Sequence, residues 1–594
     1  MTASIRCVSA GGASVTVELA SALTPALRDR ARGDTNRWIK SLRHARYGSA
    51  SMRERFTYRD DSLWWFTELY LQKMRRLDTA VAAVLALDAI HAAQAPARVE
   101  VTTRDGAIRE AALAFGRARG VAVSLAASDA ARSRHGWPGF LVGLTAELAR
   151  LRPARPARVA RRPRVAAFIH TAFWRGGDGD EGAAQEHYLG PVLDAIASRT
   201  GAGGLAYVGL GPRRNFRARR WWDPVTAGAA ARAVTPIEQF APRRAVAGAL
   251  DLWRRRAALA DAVATGDGIR AAAAVHGCDL WPVLAHELRG AALVQWPWSA
   301  RAMDEAGAAI DALDPETVVT YAEAGGWGRA LVLEARRRGV PSIGVQHGFI
   351  YRHWLNYLHA ADEHAAIGGD RGVPIPTRSL LFDRYAAEHL IREGAFPEAA
   401  ISVTGSPRLD ELAAKMRTAQ SAAPGMRIVL AAKHSEIAGE LPGLFAAVGA
   451  RPDVRLVIKP HPAETPDVYA PLARSHANIA VAPASADLAA LLSGAAALVT
   501  MNSTVAIDGL VLGVPALVVG LPNNLSPFVD AGVMVGVDAG GAIGPQLQAL
   551  LYDRQVRDGL LARAAGFAAR YEMRADGQAA SRAADEVLAM TRTQ

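Results

Sequence analysis

The sequence predicts an α/β fold in which two doubly wound parallel sheets lie in tandem and face a common cleft. Short apolar runs such as 456–458 alternate with helical stretches, a pattern typical of parallel strands buried on both faces. A chain of 594 residues is too long for one hydrophobic core, so two or three domains are expected. Polar residues directly follow several of these strands, at the edge where doubly wound sheets bind ligands.

Composition shifts and strand spacing predict five segments. They are an α/β region (1–150), an arginine- and proline-rich linker (151–164), a first Rossmann-like domain (165–395), a second one (396–560) and a helical tail (561–594). Helical spacing over 61–90 and a strand, helix and strand over 98–125 belong to the first segment. The strands expected in the two Rossmann-like domains are 165–169, 205–210, 317–321 and 342–346, then 401–404, 427–430, 456–458, 497–500 and 513–520.

Bulk composition excludes several classes of protein. Half of the residues are hydrophobic and 21% are charged, which is typical of a globular chain and not of a disordered one. The net charge of +12 carries little functional information, because only five of the 69 basic residues are lysine and the arginine and alanine excess reflects a GC-rich genome. No zinc finger, helix-turn-helix or aromatic-basic RNA motif is visible, so a nucleic-acid partner is not expected.

Cysteine content and hydropathy predict a soluble, cytoplasmic protein. Cys7 and Cys278 are too few to staple a chain of this size and are expected as free thiols. The N-terminus lacks the basic patch and apolar core of a secretion signal, and polar residues interrupt the most apolar stretch, 495–521. Six arginines and three prolines in the linker suit a solvated spacer; the alternative is peripheral contact with the anionic inner-membrane surface.

The second predicted domain carries the candidate phosphate site. Lys459-Pro-His-Pro462 ends a strand, and its two prolines fix the backbone so that Lys459 and His461 meet a phosphate at the cleft. Asn502, Ser503 and Thr504 fall where a helix begins, which suits an anion or, alternatively, a plain helix cap. Asp508, one helical turn beyond Thr504, is a candidate acceptor of a ribose hydroxyl or, alternatively, a plain polar residue of that helix. The further candidates at strand ends are Ser406 and Arg408, and Lys433 and His434, with surface turns as the alternative.

The first predicted domain carries the candidate base. His347, in Gln346-His-Gly348, follows a strand and suits removal of a proton from an acceptor hydroxyl; the alternative is a structural histidine. Glu323 is a second candidate, as the base itself or as a group that orients His347. The acceptor-side candidates are Tyr351, Arg352, His170, Glu186 and His187. Asp178-Gly-Asp180 imitates a metal-binding pair, but such triplets arise easily by chance, so no metal is expected.

Four motifs together resemble a known group of enzymes. Gln346-His-Gly348, Thr404-Gly-Ser-Pro-Arg-Leu-Asp410, Lys459-Pro-His-Pro462 and Ser503-Thr-Val-Ala-Ile-Asp508 resemble, in order and separation, GT-B-fold transferases of bacterial surface polysaccharides. That group includes capsule biosynthesis proteins, CDP-glycerol glycerophosphotransferases and, more distantly, non-hydrolysing UDP-sugar 2-epimerases. The resemblance is good over roughly 310–560 and weak over 165–310, and nothing resembles 1–150.

The resemblance implies a role for each matching residue. It makes His347 the base, His461 a contact of the donor phosphates, and Ser503, Thr504 and Asp508 the phosphate and ribose contacts. The chain departs from the glycerophosphotransferases, because glutamine instead of tryptophan precedes His347 and Phe349-Ile350 replaces the usual Thr-Pro. A nucleotide sugar is therefore the expected donor.

The expected function is inverting, metal-independent transfer of a sugar to a saccharide or lipid-linked saccharide of the cell surface. The nucleotide sugar is a co-substrate, and no bound cofactor is expected. The alternatives are a CDP-glycerol-type glycerophosphotransferase, a nucleotide-sugar 2-epimerase, and a non-catalytic protein that binds polysaccharide or a membrane surface.

Overall fold

The computed structural model describes residues 3–126, 161–170, 174–175, 185–210, 234–321, 323–419, 426–461, 464–474, 476–483 and 486–591. Ten residues of the predicted linker (151–160) and the Asp178-Gly-Asp180 triplet lie outside these ranges.

An N-terminal domain precedes the first Rossmann-like sheet. Its strands are β1 (Ser4–Val8), β2 (Ser14–Glu18), β3 (Arg46–Tyr47), β4 (Ala50–Ser51), β5 (Thr57–Tyr58), β6 (Asp61–Ser62), β7 (Arg98–Thr102) and β8 (Ala122–Leu125). Four of them form a mixed sheet in the order β2-β1-β7-β8, and the other four form two small hairpins. The helices are Leu19–Ala22, Pro25–Ser41, Met52–Arg55, Trp64–Met74, Arg76–Gln94 and Gly106–Arg119.

The helix Arg76–Gln94 is the one described helix whose length and apolar composition would allow it to cross a membrane. In this structure it is a core helix of the N-terminal domain, because ten of its residues, from Leu77 to Ile90, are buried.

The first lobe is a seven-stranded parallel sheet of Rossmann-like topology. Its strands and the hairpins attached to it are β9 (Val165–His170), β10 (Trp174–Arg175), β11 (Gln185–Glu186), β12 (Leu205–Leu210), β13 (Thr235–Pro236), β14 (Ala274–Val275), β15 (Cys278–Asp279), β16 (Thr317–Tyr321), β17 (Ser342–Val345), β18 (Arg378–Leu381) and β19 (Ile401–Val403). The sheet order is β13-β12-β9-β16-β17-β18-β19, so the strand order reverses between β9 and β16. Helices Gly190–Thr200, Ala247–Val263, Asp267–Ala271, Trp281–Gly290, Trp296–Leu313, Gly326–Arg337 and Arg384–Gly394 complete the lobe.

The second lobe repeats this topology with six parallel strands. They are β20 (Met426–Leu430), β21 (Val454–Ile458), β22 (Ile479–Val481), β23 (Ala497–Thr500), β24 (Ala516–Leu521) and β25 (Val535–Asp538), in the order β22-β21-β20-β23-β24-β25. The strand order reverses between β20 and β23. Its helices are Pro407–Thr418, His434–Ile437, Leu441–Gly449, Ala470–Ala473, Leu488–Leu492, Val505–Val511, Ser526–Asp530, Ile543–Tyr552 and Arg554–Arg570.

The N-terminal domain and the first lobe share one hydrophobic core. Trp64 and Trp65 of the domain are fully buried together with Trp296, in a cluster that continues through the helices of 247–303. Charged groups are also buried at this junction: Lys40 bonds Glu363 at 3.0 Å, and Arg53 bonds Asp370 at 2.6 Å. Removing one partner of such a buried pair would leave an uncompensated charge, so the domain is held firmly on the lobe.

The chain crosses between the lobes twice, and the first crossing corrects one expectation. The segment 401–403 was predicted to open the second sheet, but β19 pairs with β18 and closes the first. The tail 561–594 was predicted to be helical. In the structure, helix Arg554–Arg570 packs on the second lobe through Ala564, whereas helix Ala579–Ala589 packs on the first through Ala583, Ala584 and Val587.

Both lobes are doubly wound and face each other across a cleft. Phe349, which follows β17, contacts Phe528 of the second lobe with ring centroids 5.5 Å apart. Two Rossmann-like lobes around a shared crevice are the GT-B architecture, which confirms the predicted fold class.

Candidate functional site

The second lobe brings three of the predicted donor-side residues to one edge of its sheet. Strands β21, β20 and β23 are neighbours, and Lys459, Lys433 and Asn502 follow their carboxyl ends. The Lys459 N–H donates to the Leu430 carbonyl at 2.9 Å, which fixes the register of two of these ends. This edge includes the reversal of strand order between β20 and β23, where doubly wound folds bind their ligands.

The turn that carries His461 is tied to the turn that carries His434. Glu464 donates its backbone N–H to the His461 carbonyl at 2.8 Å, and its carboxylate accepts the His434 N–H at 2.9 Å. The His434 ring packs against Tyr469, with centroids 5.1 Å apart. Sequence reasoning missed Glu464, because nothing in the motif indicates that its carboxylate reaches back to the preceding strand end.

Asn502, Ser503 and Thr504 do form the start of a helix, Val505–Val511. The Asn502 amide donates to Glu436 at 3.1 Å, and its oxygen accepts the Asn524 N–H at 3.1 Å. Ser503 accepts the Val505 N–H at 3.3 Å, so its hydroxyl already serves the turn. Thr504 makes no side-chain capping bond and lines the cavity between the lobes.

Asp508, the predicted acceptor of a ribose hydroxyl, lies at the cavity between the lobes and has a protein partner. The carboxylate is buried and pairs with Arg408 at 2.7 Å. Burial raises its pKa, and the Arg408 guanidinium opposes that rise. Arg408 therefore holds this carboxylate in place and is the more exposed partner of the pair, at 31% against 4%.

Ser406, a predicted donor contact, lines the cavity between the lobes and also caps a helix. Its hydroxyl accepts the Leu409 N–H at 3.3 Å at the start of helix Pro407–Thr418, and the residue is buried. A helix that begins directly after β19 needs an acceptor for its first N–H groups, and the serine before a proline supplies one.

One cavity is lined by both lobes. Gln346 and Phe349 come from the first lobe, whereas Arg408, Thr504 and Asp508 come from the second. The candidates Ser406, Arg408, Thr504 and Asp508 of the second lobe therefore share one space with Gln346 and Phe349 of the first. His347 and His461 are not among the residues that line this cavity.

His347 lies at the carboxyl end of β17 in an aromatic surrounding. Its ring is 5.4 Å from Tyr188, 5.5 Å from Tyr321 and 6.5 Å from Trp354, measured between centroids. Burial lowers its pKa to about 4, so the imidazole is neutral at pH 7. Within the described part of the chain, its Nδ1 is buried without a hydrogen-bond partner. A neutral imidazole at a strand end can accept a proton from a substrate hydroxyl.

Glu323 was expected to serve as base or to orient His347, and the structure gives it another partner. Its carboxylate accepts the Tyr357 hydroxyl at 2.9 Å, and no hydrogen bond joins it to His347 within the described ranges. Burial raises its pKa to about 7. A Cβ built on Gly344 would lie 2.6 Å from the Glu323 Cγ, which places this side chain against the backbone of β17.

The hairpin and turn before helix Gly190–Thr200 bring Glu186 and His187 next to the His347 surrounding. Glu186 is buried and accepts the Tyr188 N–H at 2.8 Å, so its carboxylate caps the turn into the helix. The His187 ring contacts the Tyr188 ring at 4.6 Å. His170 ends β9; its backbone N–H donates to the Tyr321 hydroxyl at 3.0 Å, and burial lowers its side-chain pKa to about 4.

Tyr351 and Arg352 differ in their surroundings. The Tyr351 ring stacks on Trp354 at 5.2 Å with planes 8° apart, which forms a flat aromatic surface beside His347. Arg352 forms an ion pair with Asp29 of the N-terminal domain at 2.5 Å, which joins the first lobe to that domain. The contact of Arg352 with an acceptor stays a prediction.

Among the described residues, no cluster of three or more histidine, cysteine, aspartate or glutamate side chains is arranged to hold a metal ion. Asp178-Gly-Asp180 lies outside those residues.

Comparison with known proteins gives distant structural likenesses. No protein-family model matches the chain, and no curated protein does. MurG from Acinetobacter baumannii is similar at 14% identity over 72% of this chain and 99% of that one, with a TM-score of 0.39. SnogD, a glycosyltransferase from Streptomyces nogalater, is 18% identical over 72% and 100%, with a TM-score of 0.37.

UDP-GlcNAc 2-epimerase from Neisseria meningitidis, bound to UDP-GlcNAc, is similar at 16% identity over 49% of this chain and 81% of that one, with a TM-score of 0.36. TM-scores this low carry no argument about function. The assignment of the fold therefore depends on the chain's own two sheets, their strand order and the cleft between them.

Proposed function

We propose that this chain is a GT-B glycosyltransferase that transfers a sugar from a nucleotide sugar to a saccharide or lipid-linked saccharide of the bacterial surface. One observation carries the proposal. Cationic and hydroxyl side chains follow adjacent strands of the second sheet, and an uncharged, buried imidazole follows a strand of the first. Such sheets bind nucleotides at these edges, and a proton acceptor on the opposite lobe suits attack by an acceptor hydroxyl.

The second lobe would hold the donor diphosphate. Lys433 is 47% exposed and its ion pair with Glu436 is long, at 3.9 Å, so its ammonium group can turn to a phosphate at small cost. Lys459 and His461 follow the adjacent strand, and Thr504 adds a hydroxyl at the cavity. Preorganised donors of this kind stabilise the charge that develops on a departing diphosphate.

The first lobe would supply the base. His347 accepts the proton of the acceptor hydroxyl while that oxygen forms a bond to the anomeric carbon. The bond from the anomeric carbon to the diphosphate oxygen breaks on the opposite face, so the configuration inverts. The negative charge of a bound donor would raise the pKa of His347 and favour the imidazolium that this step creates.

The donor site is tested first, by thermal denaturation with UDP, CDP, GDP and CMP. A ligand at a hundred times its Kd stabilises a folded protein by about 2.7 kcal/mol, so a true donor base raises the Tm. Lys459→Gln should weaken this stabilisation. A second variant, His461→Ala, is compared with the control His44→Ala, which removes a histidine that is 62% exposed in the N-terminal domain. Absence of stabilisation by all four nucleotides would contradict the proposal.

Catalysis is tested by following nucleotide sugars by NMR with and without a saccharide acceptor. Folded His347→Ala and His461→Ala proteins should each lose about 10²–10³-fold in turnover, the effect of removing one charge-stabilising or proton-transferring group. Full activity in either variant would remove that residue from the mechanism. Conversion of the nucleotide sugar without acceptor would instead indicate an epimerase.

A further inference from the structure

The helix Pro25–Ser41 of the N-terminal domain lies against the segment that follows His347. Asp29 is 2.8 Å from the His353 imidazole, and Asn36 donates to the His353 carbonyl at 3.0 Å. A Cβ built on Gly33 would lie 4.0 Å from the same ring. Positions 29, 33 and 36 share one face of the helix, and helical spacing places Arg32 on that face too.

Arg75 approaches the same segment from a second direction. It is the junction between helices Trp64–Met74 and Arg76–Gln94, where its φ of 56° is left-handed. Gln72, three residues earlier, donates to the His353 carbonyl at 3.5 Å. Burial raises the pKa of the Tyr351 hydroxyl, while Arg75 and Arg32 lower it and Glu436 raises it.

Neither arginine is neutralised by an ion pair. Both side chains are exposed, and no carboxylate of the described residues lies within 4.0 Å of either one, whereas Arg30 on the adjacent helix face pairs with Asp34 at 3.5 Å. Asp78 is the carboxylate that they influence: burial raises its pKa, and Arg32 and Arg75 lower it. Both guanidinium groups therefore remain available to an anionic ligand.

Aromatic rings lead from the candidate base towards this segment. Trp354 is 6.5 Å from the His347 ring and Tyr351 stacks on Trp354 at 5.2 Å. The elements that carry Arg32 and Arg75 pack on the neighbouring residue His353. Aromatic faces bind the apolar face of a sugar ring, and guanidinium groups bind carboxylate or phosphate in a fixed fork. A sugar on the aromatic surface would direct a hydroxyl to His347 and an anionic substituent to the arginines.

We propose that Arg32 and Arg75 bind an oxyanion of the acceptor, so that the N-terminal domain selects an acidic saccharide over a neutral one. This inference rests on the proposed function, since it names the acceptor class of the same site. The oxyanion has two sources with the same chemistry: the carboxylate of a uronic acid, or the phosphates of a lipid diphosphate.

The test compares matched acidic and neutral probes by calorimetry. Methyl glucuronide is paired with methyl glucoside, and geranyl diphosphate with geraniol. The full-length protein should bind one acidic probe at least about tenfold more tightly than its neutral partner, since a charged hydrogen bond contributes about that factor. Arg32→Gln and Arg75→Gln should remove this preference, and added salt should weaken it.

Arg30→Gln is the control, because it removes the same charge from another face of the same helix. The acidic probe that loses affinity in the two test variants, but not in the control, identifies the source. Equal binding of acidic and neutral probes, or a preference that survives both substitutions, would overturn the inference. Nucleotide stabilisation measured on the same proteins keeps the two proposals apart, because it depends on the second lobe and not on these arginines.

Discussion

The burial of His347 should make the folding stability of the protein depend on pH. Its pKa falls from the usual 6.5 to about 4. Between these values the unfolded chain binds a proton at this residue and the folded protein does not, so folding stability decreases as the pH falls from 6.5 towards 4. The whole shift corresponds to about 3 kcal/mol, of which about 2 kcal/mol is already lost at pH 5.

The perturbation that isolates this contribution is His347→Gln, which keeps a polar side chain but cannot be protonated. Unfolding of the first lobe in urea is measured at pH 7.5 and pH 5 for both proteins. The wild type should lose about 2 kcal/mol more than the variant over this interval. His44→Gln, at an exposed histidine, controls for the general effect of removing an imidazole.

The protonation state itself is followed by NMR of protein labelled at histidine carbons. The signal that disappears in His347→Gln should show no titration above about pH 5, as expected for a group with its pKa near 4. A signal that titrates near pH 6.5, or identical pH dependence of unfolding in the two proteins, would refute the lowered pKa of His347. Either result would mean that the imidazole is solvated.

Further predictions concern two buried carboxylates, those of Asp508 and Glu323. Arg408→Leu leaves the buried Asp508 carboxylate without its partner and should lower the free energy of unfolding, measured in urea, by about 3–5 kcal/mol. The double variant, Arg408→Leu with Asp508→Leu, should regain most of this loss. Tyr357→Phe removes the hydroxyl that donates to Glu323 and should cost about 1–3 kcal/mol, measured by the same method. Gly344→Ala places a methyl group 2.6 Å from the Glu323 side chain, and calorimetry should show a Tm loss equivalent to about 1–3 kcal/mol.

The strands buried on both faces could be predicted from the sequence. Leu205–Leu210, Thr317–Tyr321 and Ala497–Thr500 have the predicted bounds, because each is a continuous apolar or β-branched run between polar turns. Arg378–Leu381 escaped prediction because its first two residues are polar, which leaves only Leu380 and Leu381 as an apolar run. Ile401–Val403 was assigned to the wrong sheet, since its sequence carries no information about which edge it pairs with.

The candidate site was predictable in position but not in pairing. A residue that directly follows a strand, such as His347 or Lys459, must lie at the sheet edge, so its location follows from the local pattern. Whether a side chain at that edge is available to a ligand depends on a partner far away in sequence. Arg408 pairs with the carboxylate of Asp508, 100 positions later in the chain. Tyr357 donates its hydroxyl to Glu323, which lies 34 positions earlier.

The return of helix Ala579–Ala589 to the first lobe makes the second lobe an insertion within the first. The chain of the second lobe is continuous from the end of β19 to that helix, so it can complete its own core while synthesis is still under way. The first lobe cannot, because the face formed by Val165, Val192 and Ile196 stays uncovered until residues 583–587 have left the ribosome. We therefore expect chains truncated before residue 579 to retain a compact second lobe. Their first lobe should expose this apolar face, which promotes aggregation.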